Sequence, residues 1–329
     1  SSMVSGSGVS TATKWVGGLD RIHRTRGILA AFDFSATPFA PSGKESTEEA
    51  LFDWIVSDFS LNDAIESGLV KTPRVVVRDD ALPGSKDYRS KLYHLYQWVK
   101  DDLNRKAEPH ATLPDLVQNA YYLLGKDWLE TLKRWDKERR DTPPVMITVA
   151  NRTETAARVK HAFDQRKIHI EELCTPERTL HIDSKVLEKA EAREDGLSRE
   201  EHAEELRVMV DTVGQKGRPG AEIQNVISVG MLSEGWDAKT VTHVMGLRAF
   251  SSQLLCEQVV GRGLRRTSYE VNASTGLFEA EYVNIFGVPF TFLPHEGGDG
   301  PPPPPPSPKS KIEALPERAH LQISWPNVL

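Results

Sequence analysis

Cysteine is nearly missing from this chain, with 2 in 329 residues. Cys174 and Cys256 lie far apart and form no Cys-x-x-Cys, which argues against a disulfide framework or a structural zinc site and suits a reducing compartment. Cys256 sits among Leu254, Leu255 and Val259, where a small buried apolar residue is the expected role. Long apolar runs are missing too. None approaches the ~20 residues that span a bilayer, and no signal-peptide pattern opens the chain, so no membrane partner is expected and the cytoplasm is the expected location. There is no basic excess either. A formal net charge of -6 excludes a protein that coats nucleic acid with a uniformly basic surface, and leaves room only for local DNA contacts. Finally, no Gly-x-x-x-x-Gly-Lys-Ser/Thr occurs, so no glycine loop of backbone amides is laid out to cradle β- and γ-phosphates.

What is present fits a globular α/β chain. Its 39% apolar and 27% charged residues, at this length, suffice for about two domains. Leu92, Leu95, Tyr96, Val99 and Leu103 recur at helical spacing within residues 88–107, and a second helical region follows from Pro114 to about Arg140, with a break expected near Gly125. Pro143-Pro144 introduces an apolar strand, Val145 to Ala150. A helix from Thr153 to Asp164 follows it, with Ala156, Ala157, Val159 and Phe163 on one side. Further strands are expected at Leu180 to Asp183, Ile223 to Val229, Val241 to Leu247 and Tyr282 to Phe286. This alternation predicts a parallel sheet covered on both faces, whose ligands bind at the carboxyl ends of its strands. The sites chosen in this domain, Asn151-Arg152, Ser233 to Asp237 and the arginines after Gln258, are expected at or beyond such ends. Residues 1–20, rich in Ser, Gly and Thr, read as ragged, and Ile28 to Phe39 as a strand and turn. Glu188 to Glu205 reads as a solvated helical face, and His320 to Trp325 as a strand. Pro301 to Pro306 must be extended polyproline II, a spacer or else a ligand for a proline-recognition domain, and glycines 297, 298 and 300 agree with a boundary there.

Three short stretches carry chemistry. Gln258 to Arg266 reads Gln-Val-Val-Gly-Arg-Gly-Leu-Arg-Arg. Arg262 and Arg265 are three apart, so on a helical turn they project from one face and can converge on one anion, which the guanidinium grips bidentately. Gly261 and Gly263 keep side-chain bulk away from the backbone beside them. The plainer reading is a helix end supplying cations to its own dipole. Ile227 to Asp237 is an apolar strand running into a glycine turn, Glu234-Gly235-Trp236-Asp237, and Ser251 or Ser252 can cap the helix that delivers Gln258. Phe34-Ser35-Ala36-Thr37-Pro38 ends the apolar run from Ile28.

On these residues the chain resembles the superfamily 2 helicases and translocases, closest to the helicase-like subunit of type III restriction enzymes. Ser35-Ala36-Thr37 matches the family's motif III, Glu234 to Asp237 its motif V, and Gln258, Gly261, Arg262 and Arg265 its motif VI. The stretch Trp54 to Gly68 also looks like that branch. The resemblance covers Ile28 to Val288 and implies an α/β fold, a RecA-like parallel sheet with helices on both faces. This sheet would be the second helicase lobe, preceded by a remnant of the first and a helical insertion. The implied domains are 1–40, the end of the first lobe; 41–142, a connecting region with the helical insertion; 143–292, the second lobe; 293–310, a linker; and 311–329, the start of a further domain. Motif I and the acidic motif II lie N-terminal to motif III in this family and are absent here, so the chain reads as an internal piece of a longer protein.

The resemblance also assigns roles. Arg262 and Arg265 would be arginine fingers, and Gln258 would sit near the γ-phosphate or the attacking water. Asp237, with Gly235 and Gly261, would contact or couple to the nucleotide. Ser35 and Thr37 would link the two lobes. Arg152 and Thr153 would hold a DNA phosphate, although Thr153 can equally be a plain helix N-cap. Val229 stands where many members carry a threonine that touches the nucleic-acid backbone, which leaves Ser228, on the other side of the strand, as the hydroxyl on offer. ATP and Mg2+ would act in the full-length protein, with neither held stably by this chain alone and no metal ligands expected in it. DNA, the first helicase lobe and, as a candidate, a methyltransferase subunit would be the partners. Two other classes remain: a noncatalytic RecA-like interaction module, and the motor part of a nuclease whose catalytic domain lies beyond Leu329. The upstream and downstream coding sequence would separate them.

Overall fold

The computed structural model describes residues 7–29, 59, 61–76, 91–182, 199–229, 236, 238–250, 253–289 and 316–321. The chain divides into two compact units, residues 1–58 with 312–329, and residues 59–311.

In the first unit, α1 spans Ser7–Arg26. It ends where Gly27 adopts a positive φ of 77° and donates its amide to the carbonyl of His23, a left-handed cap with His23, Arg24 and Arg26 in the last turn. This corrects the expectation of a ragged opening. Trp15, Leu19 and Ile22 stand at helical spacing, a signal that the Ser, Gly and Thr around them hide. Pro316–Leu321 is a 3-10 helix, so His320 and Leu321 do not begin the expected strand.

The second unit holds one six-stranded, all-parallel sheet in the order β1-β6-β5-β2-β4-β3. Its strands are β1, Thr72–Val75; β2, Val145–Ala150; β3, Thr179–Ile182; β4, Asn225–Val229; β5, Val241–Leu247; and β6, Tyr282–Phe286. The last five were all legible as apolar runs. β1 was not, because it is short, polar and contains Pro73, which a sheet accepts only at an edge such as this one. It comes from the stretch read as a connecting region. Just before it, the amine of Lys71, 1% exposed, donates to the carbonyls of Lys239 at 2.6 Å and Val241 at 2.5 Å, tying β1 to the start of β5.

The helices of this unit, besides α2 (Leu61–Glu66), cover both faces. On one face lie α3 (Leu95–Asn104), α4 (Asp115–Lys137) and α5 (Thr153–Asp164), packed on Met146, Ala150, Ile227, Met245 and Leu247. On the other, α6 (Arg199–Asp211) and α7 (Gln253–Gly263) pack on Ile147, Val149, Val226, Val244 and Ile285. α6 starts inside the charged stretch read as a solvated helical face; the residues before Arg199 in that stretch lie outside the described ones. The alternation along β2 is strict, with Met146 facing one layer and Ile147 the other. α4 shows no break at Gly125. A Cβ there would lie 2.9 Å from Cγ1 of Ile170, so the glycine serves close packing of an intact helix.

Candidate functional site

The chain leaves β2 for β3 through α5 on one face, and leaves β5 for β6 through α7 on the opposite face. β2 and β5 are neighbours, so the connections part between their carboxyl ends and open a crevice there, where doubly wound sheets bind ligands. A cavity of about 370 Å³ occupies it, lined by Tyr96, Asn104, Asn151, Arg152, Arg248 and Ala249. Arg152 is the N-cap residue of α5, in extended conformation, which makes Thr153 the first helical residue rather than the cap. The Arg152 guanidinium donates to the carbonyl of Asn104 and pairs with Glu154 at 2.9 Å. Asn151 Nδ2 donates to Asn104 Oδ1 at 2.9 Å. The last turn of α3 thus braces the first turn of α5, and Thr155 adds a bond from its hydroxyl to the carbonyl of Leu103. Two guanidinium groups therefore face one open crevice from the ends of adjacent strands. Ser228 is only 2% exposed, inside β4 and away from this surface.

The arginine pair lies at the other end of the sheet. α7 runs antiparallel to the strands, so its last residues return to their amino ends. A Cβ on Gly263 would come within 2.9 Å of Val283 Cγ2 and 3.4 Å of Val241 Cγ1, and the carbonyl of Leu264 accepts the amide of Lys71. This corrects the expectation that these arginines sit at a carboxyl edge, which counted residues after β5 without following the helix back. Arg265 also lies past the end of the helix, at Gly263, not on the same helical turn as Arg262. Both side chains nevertheless reach one backbone acceptor. Arg262 Nη1 lies 3.4 Å and Arg265 Nη1 2.6 Å from one acceptor, the carbonyl oxygen of Trp236. The Trp236 indole is itself buried and donates from Nε1 to the carbonyl of Val210 in α6 at 2.8 Å. Residues from two separate stretches, 26 and 29 positions apart, thereby meet on one backbone atom.

Gln258 is half-buried one turn before Arg262, and a Cβ on Gly261 would meet open space. Gly263 is different, since its missing side chain lets α7 settle on β5 and β6. Neighbouring Arg266 is structural: it is 4% exposed and bonds the carbonyls of Ser268 and Glu279. Cys256 is buried, as expected, and burial pushes its thiol up to about 11. Ser35, Thr37, Gly235, Asp237, Ser233, Ser251 and Ser252 lie outside the described residues, as does the strand expected from Ile28 apart from its first two positions. Tyr96 was read only as part of an apolar helical face, and Asn104 and Arg248 were not singled out from the sequence; only the position of Arg248 directly after an apolar strand marked it. Among the described residues no helix is long and apolar enough to cross a membrane, and no group of three or more His, Cys, Asp or Glu side chains could hold a metal ion.

No family model matches the chain, and no curated protein matches it. Among solved structures it is similar to a fragment assigned as the HsdR subunit of a type I restriction enzyme from Vibrio vulnificus YJ016, at 15% identity and a TM-score of 0.32, over 68% of this chain and 33% of that one. It is also similar to the ATP-dependent type ISP restriction-modification enzyme LlaBIII bound to DNA, at 16% identity and a TM-score of 0.36, over 76% of this chain and 15% of that one. The chain spans a third or less of the length of these proteins, and likenesses this faint say nothing of its activity.

Proposed function

We propose that residues 59–311 form the RecA-like second lobe of an ATP-dependent DNA helicase or translocase of the restriction-enzyme kind, specifically of a type III-type subunit. The observation that carries this reading is the meeting of Arg262 and Arg265 on the carbonyl of Trp236, the residue before Asp237. Two stretches chosen from the sequence as nucleotide-sensing motifs thus share one atom, as a coupled unit requires. In the full-length protein a first lobe would hold ATP and Mg2+. Arg262 and Arg265 would then turn to the γ-phosphate and stabilise the charge that develops there, an effect on the order of 10³ in rate. Gln258 would orient the attacking water, and Asp237 with Gly235 would report the state of the nucleotide to the arginines. At the opposite end of the sheet, Arg152, the first amides of α5 at Thr153, and Arg248 would hold a DNA phosphate. Closure and reopening of the lobes, linked through Ser35 and Thr37, would become steps along DNA.

The test separates a phosphate sensor from a structural arginine. In the full-length protein, Arg262→Lys should lose nearly as much kcat as Arg262→Ala, because an ammonium cannot reproduce the planar fork. KM for ATP should change less than kcat, since the contact belongs mainly to the transition state. The melting temperature should stay close to that of the parent. A large fall in melting temperature with near-normal kcat would show that the pair only fastens Trp236, and would favour a noncatalytic module.

A further inference from the structure

Two cavities lie side by side at the amino ends of β1, β5 and β6. One, of about 530 Å³, counts Lys71, Arg134, Thr242 and Tyr282 among its walls; the other, of about 260 Å³, counts Asp127, Arg134, Thr242 and Tyr282. Thr242, Arg134 and Tyr282 belong to both, so they stand where the cavities meet. Thr242 is also irregular in the sheet. Val145 pairs with Val241 and Met146 with His243, which leaves Thr242 as an extra residue on β5. A bulge of this kind takes a side chain out of strict alternation and re-aims it. Oγ1 of Thr242 consequently lies 2.8 Å from Nδ1 of the very next residue, His243.

The other side of the ring is held as tightly. His243 Nε2 lies 2.8 Å from Oδ2 of Asp127 on α4, and Asn284 Nδ2 donates to the same oxygen. Burial holds the imidazole below its ordinary pKa, against the pull of Asp127, while the hydrogen bond from His243 holds the Asp127 carboxyl below the usual carboxylate range. With a neutral ring beside a carboxylate, one tautomer satisfies both contacts: Nε2–H donates to Asp127, and Nδ1 accepts the hydroxyl proton of Thr242. A core histidine needs partners for its two nitrogens, but it does not need one of them to be the hydroxyl of a residue that lines two cavities. Hydroxyl, base and orienting carboxylate in hydrogen-bond contact are the arrangement that activates a nucleophile.

We propose that Thr242 is a nucleophile that accepts an acyl group from a small activated carboxylic ester, with His243 as its base and Asp127 as the group that holds the ring. Oγ1 forms a bond to the acyl carbon as its proton passes to Nδ1 of His243. The bond to the leaving alcohol breaks, and the alcohol departs with that proton. Water then opens the acyl-threonine, giving its proton to Nδ1 and its hydroxide to the acid, and the proton returns to Oγ1. Nothing is oxidised or reduced. Arg134 supplies positive charge on the shared wall for the oxyanion. This site is separate from the translocase reading and stands or falls without it.

The probe is p-nitrophenyl acetate, applied to the 329-residue chain, with nitrophenolate release followed by absorbance and the acetyl group located by peptide mass mapping. Acetylation of Thr242 is expected. Thr242→Val keeps the volume and should abolish it, while Thr242→Ser should keep a label at position 242. Asp127→Asn should slow labelling by on the order of 10² without moving its place, because the carboxylate acts through the ring. Acetyl groups confined to lysines and the chain terminus, or an unlabelled position 242 in a folded Thr242→Ser protein, would overturn the proposal. So would equal rates in the parent and Asp127→Asn. The Ser and Asn comparison decides the matter even if Thr242→Val fails to fold.

Discussion

Lys71 shows how much one buried charge can ask of a fold. Its amine is almost fully enclosed, and burial lowers its pKa from 10.5 to about 7, with Glu281 pulling upward and Arg140 and Arg266 adding to the fall. Because the folded pKa lies below the unfolded one, the unfolded chain binds more protons between about pH 7 and 10.5. Stability from this group therefore rises with pH across that window and is flat below it, where both states are protonated. Lys71→Met cannot titrate and leaves the carbonyls of Lys239 and Val241 without their donor. We expect it to be less stable than the parent, by a margin that widens from pH 7 to pH 10 in urea unfolding. A margin that is constant or shrinks would mean that the amine stays charged in the fold. Nothing in the sequence marked Lys71. His243 went unmarked as well, although it is the one basic side chain in an apolar strand and a buried ring there demands partners, because its partner Asp127 lies 116 residues away.

At the scale of the element, α7 must deliver Arg262 while lying flat on the sheet. Two glycines near its end divide these duties, and they should respond with opposite signs to the same change. Gly263→Ala would bring a Cβ to 2.9 Å from Val283 Cγ2, a contact that forces the helix off β6 and should cost about 1–3 kcal/mol. Gly261→Ala meets open space and removes backbone freedom from the unfolded chain, so it should be neutral or stabilising by up to ~1 kcal/mol. Chemical denaturation of both variants checks this. A shared sign would show that α7 does not seat on the sheet as described. The sequence presented these glycines as equivalent clearance around an anion site, because spacing alone cannot say which side of a helix a strand will cover.

For the molecule as a whole, a net charge of -6 sets the limit on nucleic-acid binding. If contact is confined to the crevice between β2 and β5, binding of a single-stranded oligonucleotide should be weak and should fall steeply with salt, by a slope of about -0.7 for each phosphate neutralised. Replacing Arg152 and Arg248 together with alanine should flatten that slope by roughly one to two of those contacts. Tight binding that ignores salt, or a slope unchanged in the double variant, would place any contact elsewhere.

The sequence by itself determined the five strands between Val145 and Phe286, the parallel arrangement and the two covered faces. Apolar periodicity is a local property, and connections through helices permit little else. It also marked Arg262, Arg265 and the stretch ending at Asp237 as belonging together. Only the tertiary structure decided that they meet through the carbonyl of Trp236, at the amino end of the sheet and opposite Arg152, because the direction of a returning helix is not written in residue spacing. The edge strand at Thr72–Val75 and the Thr242–His243–Asp127 contact were likewise settled in three dimensions. Each depends on partners far away in the chain, and for Thr242 on a bulge that no alternation pattern encodes.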